Sequence, residues 1–185
     1  VLYIVSLLTI HLAGCNDDFL NCYPTDKITD DNFWQTEEHV KSVANTFTSS
    51  LYGAYWLNIT EIMADMAPWA VTTAFRTIGG GNYPTDQSQI NSIWVTAYKN
   101  IGKVNYFLNN YKRAVKVRQE VLDRYAAEAY FYRAYNYWIL TNYFGDVPYI
   151  KDELNVNSPD VYRGRDPRVA VIENITKELE DHYRA

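Results

Sequence analysis

The stretch that decides the fold runs Ala127-Glu128-Ala129-Tyr130-Phe131-Tyr132-Arg133-Ala134-Tyr135-Asn136-Tyr137-Trp138-Ile139-Leu140, and continues into Tyr143-Phe144-Gly145-Asp146-Val147-Pro148. Leu122, Ala126, Ala129, Arg133, Tyr137 and Leu140 recur at three and four residues, the spacing of one helix face. The spacing predicts a helix from Val117 to Tyr143, about 39 Å long. Gly145 suits the left-handed position past a helix end, and Pro148 prevents continuation. The aromatic residues fall on all sides of this helix, which favours packing between neighbouring elements over a one-sided sugar platform. Glu128 and Arg133 are expected to form a charged pair that orients packed helices, rather than a catalytic carboxylate and its partner.

Outward from this segment the same signals recur. Thr36 is placed to cap a helix whose first turn holds Glu37 and Glu38 and whose stripe is Val40, Val43, Ala44, Phe47, Leu51 and Tyr55. Asp86 and Gln89 have capping-box spacing before Ile90, Ile93, Trp94, Ala97, Tyr98, Ile101, Val104 and Leu108. Asp166-Pro167 joins a cap to a first-turn proline, and Val171, Ile172, Ile175, Leu179 and Tyr183 follow as the last stripe. Residues 56–85 lose the period and contain Pro68, Gly79-Gly80-Gly81 and Pro84, so they read mostly as loop. Each helix has one apolar face to bury, so the expected fold class is all-α, built of antiparallel helix pairs with long loops. No fixed-period repeat is visible, though long inserts in a tetratricopeptide-like array would erase one.

Composition narrows the function. The chain of 185 residues has 17 Lys and Arg against 22 Asp and Glu, a net charge of −5, which argues against a nucleic-acid-binding face and against a polybasic membrane-surface protein. Aromatic residues make up 16% of the chain, too many for a disordered one. Two cysteines exclude a disulfide-rich scaffold. No His/Cys cluster has metal-ligand spacing, no Ser/His/Asp arrangement stands out, and Gly79-Gly80-Gly81-Asn82 lacks the Gly-Lys-Ser/Thr of a phosphate loop. No cofactor or metal is therefore expected.

The chain begins at Val1 without an initiator Met and ends at Ala185 within an amphipathic segment, so it is expected to be an N-terminal fragment of a longer protein. Val1–Gly14 is apolar and too short to span a bilayer, but fits the core of a signal peptide. Leu12-Ala13-Gly14-Cys15 resembles a bacterial lipoprotein signal, in which the cysteine is acylated; an ordinary secretory signal that holds a cysteine is the alternative. Asn16-Asp17-Asp18 reads either as a surface-export signal of Bacteroidetes lipoproteins or as a solvated tether. The expected organisation is a signal peptide over 1–14, a tether over 15–29 and a helical domain over 30–185.

Together with this lipobox, the run Glu128-Ala129, Phe131, Arg133-Ala134-Tyr135, Tyr137, Leu140 and Phe144-Gly145-Asp146-Val147-Pro148 resembles the signature of the SusD/RagB family. Phe33-Trp34 with Thr36, and Trp94 with Tyr98, Ile101 and Asn105, agree in order and spacing. Tyr130 and Tyr132 depart from the residues often found there, in a segment that reads as structural. The resemblance implies a tetratricopeptide-like fold, lipid anchoring in the outer membrane facing outward, and no catalysis. It implies capture of oligosaccharides, or in some members peptides or glycoproteins, for a SusC-type TonB-dependent transporter. A peptide- or protein-binding helical adaptor is the alternative; a surface-anchored glycoside hydrolase would need two facing carboxylates.

Ligand contacts are expected in the loop Ala64–Asp86, since binding residues concentrate on loops held by a scaffold. Trp69, Arg76, Asn82 and Tyr83 supply the aromatic faces and planar hydrogen-bonding groups that a carbohydrate site uses, with Asp65 and Asp86 flanking. Packing of this loop on another part of the protein is the competing reading.

Overall fold

The computed structural model describes residues 33–51, 53, 60–61, 64 and 74–182. The helices belong to the unit Trp34–Ala185. They are α1 (Glu37–Ala44), α2 (Ala74–Gly79), α3 (Ser88–Asn110), α4 (Gln119–Phe144) and α5 (Arg168–His182), with 3₁₀ turns at Asn45–Ser50, Tyr111–Arg113 and Pro159–Tyr162. Among the described residues there is no strand, only an isolated antiparallel bridge between Val147 and Asp166.

Helix α1 starts as its sequence dictates: the Thr36 hydroxyl accepts the His39 N–H at 3.4 Å. The Glu38 carboxyl is held below its ordinary value, first by its own backbone N–H and then by the Thr36 hydroxyl. The helix tightens at Asn45 for a local reason. The hydroxyls of Thr46, Thr48 and Ser49 each bond the carbonyl three residues earlier, at 2.7, 2.9 and 2.7 Å, competing with the regular ladder. Val40, Ala44 and Phe47 are buried as expected, whereas Leu51 is exposed and Tyr55 lies outside the described residues.

Helices α3, α4 and α5 form two successive antiparallel pairs. Trp94 meets Phe144, Asn100 meets Asn136, and Asn105 meets Arg133, so positions rise on one helix as they fall on the other. In the same sense, Arg168 meets Asn142, Glu178 meets Arg133, and Tyr130 stacks on His182. Every member of the predicted α4 stripe is buried. Ala97, Ile101, Ala134, Tyr137, Leu140, Val147, Tyr149, Val171 and Ile175 make the central core. A second aromatic cluster joins Trp34 to Phe107, Phe107 to Phe47, and Phe107 to Tyr111.

Neither predicted cap forms: α3 has no side-chain cap, and α5 takes its cap from a distant residue. Helix α3 begins at Ser88 after Gln87, and Asp86 is exposed one residue too early to cap it. Gln87 and Ser88 instead both bond the Gln89 side chain. At α5 the first N–H, that of Arg168, donates to the Asp146 carboxylate at 2.9 Å. Asp166 is occupied elsewhere, accepting the Tyr149 N–H at 2.7 Å and both Nε and Nη2 of Arg163. Gly145 ends α4 with φ +69°, as its placement predicts.

Candidate functional site

The loop singled out for ligand contacts is partly described. Ala74–Gly79 forms a short helix, and the chain then folds back on it. Gly80 N–H bonds the Arg76 carbonyl, Gly81 N–H that of Ile78, and Asn82 N–H that of Thr77. Gly81 has φ +72°, a conformation that favours glycine, and this permits the reversal. Arg76, Asn82 and Tyr83 therefore sit on one compact helix-turn, and all three are exposed, Tyr83 at 45%. Ile78 on the same short helix is buried. Trp69 and Asp65, proposed for the same site, lie outside the described residues.

Arg133 has a different role from any ligand contact. Its side chain is 4% exposed, and its partner is Glu178 of α5, not Glu128, which is exposed on the opposite side of α4. Arg133 Nε and Nη2 both donate to one Glu178 oxygen, at 3.1 and 2.9 Å, while Nη1 donates to Asn105 Oδ1 and the Lys151 carbonyl. Lys151 reaches the other Glu178 oxygen at 3.6 Å. Asn105 in turn donates to the carbonyls of Ile150 and Asp152, and Tyr98 donates to that of Pro148. Burial pushes the Tyr98, Tyr137 and Tyr149 hydroxyls well above their ordinary values. Those of Tyr98 and Tyr137 donate to main-chain carbonyls, whereas that of Tyr149 is buried without a hydrogen-bond partner among the described residues. This network fastens residues 148–152 across α3, α4 and α5.

Two surface features escaped the periodicity argument. A cleft of about 100 Å³ lies between the 3₁₀ turn 45–50, α3 and α4, walled by Ser50, Ser92, Thr96, Asn100 and Asn136. Leu51, Ile93, Ala97 and Ile139 also line it, so the cleft offers hydroxyls and amides beside apolar side chains and no charge, which suits a hydroxyl-bearing group or a few waters. The Ser49-Ser50 pair and the Ser92/Thr96 spacing were the available signal. The second feature is the outer face of α4. There Phe131 and Trp138, 49% and 52% exposed, flank Tyr135 in a stepped stack with centroids 6.4 and 6.0 Å apart. The aromatic run is thus divided: Tyr137 belongs to the core, and these three rings face outward. Among the described residues no group of three or more His, Cys, Asp or Glu is placed to hold a metal ion. No helix among them is long and apolar enough to cross a membrane.

The arrangement defines a tetratricopeptide-like helical scaffold that carries an exposed polar turn. Residues 18–183 match the profile of the SusD-like family described as "starch-binding associating with outer membrane", and the chain belongs to that family. It is 26% identical to SusD-like protein P2 of Formosa agariphila, over 97% of this chain and 36% of the relative. It superposes on a SusD-like carbohydrate-binding protein of Bacteroides fragilis with a TM-score of 0.69 at 23% identity, covering 81% of this chain and 31% of that structure. Surface glycan-binding protein A of Bacteroides uniformis superposes with a TM-score of 0.67 at 21% identity, covering 80% and 34%. The chain thus spans about a third of the length of these relatives.

Proposed function

We propose that the chain is part of a surface lipoprotein that captures oligosaccharides for import through a SusC-like TonB-dependent transporter of the outer membrane. The observation that carries this reading is the match of residues 18–183 to a family described as starch-binding and outer-membrane-associated. The exposed turn bearing Arg76, Asn82 and Tyr83 supports it, since one aromatic face and two planar hydrogen-bonding groups suit sugar hydroxyls and ring C–H faces. Trp69 is proposed for the same site. Cys15 is proposed as the acylated residue, with residues 15–29 as tether and the outward leaflet as location.

The protein acts here by binding, not by turnover. Glu178, 13% exposed, is already held by Arg133 and Lys151, which ties it into the packing between helices rather than into an open cleft. The outer aromatic face of α4 supports a protein partner, for which the transporter is the proposed occupant; it serves equally the alternative of a peptide- or protein-binding adaptor.

Titration calorimetry of the purified protein against a panel of oligosaccharides tests the reading. Saturable heat is expected with at least one glycan, weakened about tenfold or more by Arg76→Ala with Tyr83→Ala. Heat with peptides and none with any glycan would transfer the proposal to the adaptor.

A further inference from the structure

Charge is unevenly spread. Residues 103–124 hold six Lys and Arg against two acids, a balance of +4 in a chain whose total is −5. Four of the cations, Lys112, Arg113, Lys116 and Arg118, crowd the connection between α3 and α4, and all are exposed. Between them Val115 is 83% exposed. The connection is well fixed: Ala114 and Tyr111 are buried, and Ala114, Val115 and Val117 N–H groups bond the carbonyls of Tyr111, Arg113 and Ala114.

Local structure explains only half of this charge. Lys112 and Arg113 lie at the carbonyl end of α3, where cations are favoured. Lys116 and Arg118 lie at the amide end of α4, where the helix dipole disfavours them. Arg118 meets Glu120 only at 3.8 Å between two well-exposed side chains, a screened contact of little weight. A basic turn with a protruding apolar side chain suits a surface that offers dense negative charge above an apolar layer.

The position of the turn says which surface. The chain enters the folded unit at Trp34, whose ring packs on Tyr106 and Phe107 in the last turns of α3. Phe107 stacks on Tyr111, the first residue of the basic connection, at 5.4 Å. The entry of the N-terminal segment and the basic turn therefore share one end of the unit. Cys15 precedes Trp34 by 19 residues, a span of at most about 65 Å.

We infer that the turn Tyr111–Arg118 is a membrane-contact surface, resting on phosphate-bearing lipid head groups beside the acyl anchor; the inference builds on the lipoprotein reading. Lys112, Arg113, Lys116 and Arg118 meet the phosphates, and Val115 enters the interfacial layer. The contact fixes which end of the bundle faces the membrane.

Vesicle flotation of the full chain carrying Cys15→Ala tests this without the acyl group. Phosphatidylglycerol vesicles are compared with phosphatidylcholine vesicles at a lipid concentration that leaves part of the protein free. The apolar stretch Val1–Gly14 is common to all samples and cancels in the comparison. The expected result is about tenfold stronger partition to phosphatidylglycerol in dilute salt, fading in concentrated salt as screening grows. Replacing all four cations by Gln removes the preference, with the thermal midpoint checked for an intact fold, and Val115→Asp weakens binding to the charged vesicles. Equal partition to both vesicles, or a preference that survives the four changes, overturns the inference. Capture of an acidic protein without vesicle preference overturns it too. Mass spectrometry of Cys15 decides the lipoprotein reading separately, so either can fail alone.

Discussion

Tyr137 and Ile150 exchange two hydrogen bonds: the phenol donates to the Ile150 carbonyl at 2.9 Å and accepts the Ile150 N–H at 2.7 Å. A side chain in the middle of α4 thus bonds both main-chain groups of a residue outside the helices. Tyr137→Phe keeps the ring in the core and strands the Ile150 N–H, while the Ile150 carbonyl keeps its bond from Asn105. The expected loss is about 1–3 kcal/mol in urea unfolding. An unchanged midpoint would mean that water replaces the phenol without cost.

Removing one partner of the Arg133–Glu178 pair leaves the other charge shielded from solvent. Glu178→Ala or Arg133→Ala is expected to cost about 3–5 kcal/mol. The double change Arg133→Met with Glu178→Leu is expected to recover most of that loss, because it removes both charges and keeps the volume. Denaturation midpoints of the three variants decide it: single changes within 1 kcal/mol of the parent, taken as about experimental noise for a surface pair, would contradict a buried role.

Much of the scaffold could be read before any coordinates. The stripe Leu122, Ala126, Ala129, Arg133, Tyr137 and Leu140 is buried throughout, because helical periodicity is a local property of the chain. The end of α4 at Gly145 and the start of α1 at Thr36 are local too, and both hold. What failed depends on distant residues. Glu128 stands five positions from Arg133, but five positions turn a helical side chain to another face, and Glu178 arrives from α5. The cap of α5 likewise comes from Asp146, twenty-two residues from Arg168, and no spacing rule reaches that far. For the candidate site, sequence placed Arg76, Asn82 and Tyr83 in a loop; Ala74–Gly79 is instead a short helix that carries Arg76, and all three residues are exposed. The serine-walled cleft was hidden because its walls come from three separate elements.

Gly145 and Gly102 predict opposite signs for the same substitution. Neither Cβ would touch another group, so backbone conformation alone decides. Gly145→Ala forces a left-handed φ on alanine and is expected to destabilise by about 1–2 kcal/mol. Gly102→Ala, on the exposed side of α3, is expected to stabilise by about 0.5–1 kcal/mol. Thermal midpoints of the two variants should move apart; movement in the same direction would refute the conformational account.

Acid sensitivity should trace in part to Asp166. The Arg163 hydrogen bond, aided by the Tyr149 N–H and the Arg163 charge, holds its carboxyl below the ordinary value, although partial burial pulls upward. The folded value is thus below the unfolded one of about 3.9. Its contribution is whole above that pH and is lost as pH falls through the folded value. Asp166→Asn is expected to lower the midpoint at neutral pH and flatten its decline below pH of about 4. A variant with the parent's acid slope would assign that slope to other carboxyls.

Tyr98, Asn105, Arg133 and Tyr137 all address main-chain oxygens between Pro148 and Asp152. Peptide oxygens are the same whatever side chain accompanies them. The clasp therefore recognises a path rather than a text, and residues along that path are free to drift while the helices stay in register. Homologues that have kept barely one position in five can, on this basis, still lay their backbones over one another.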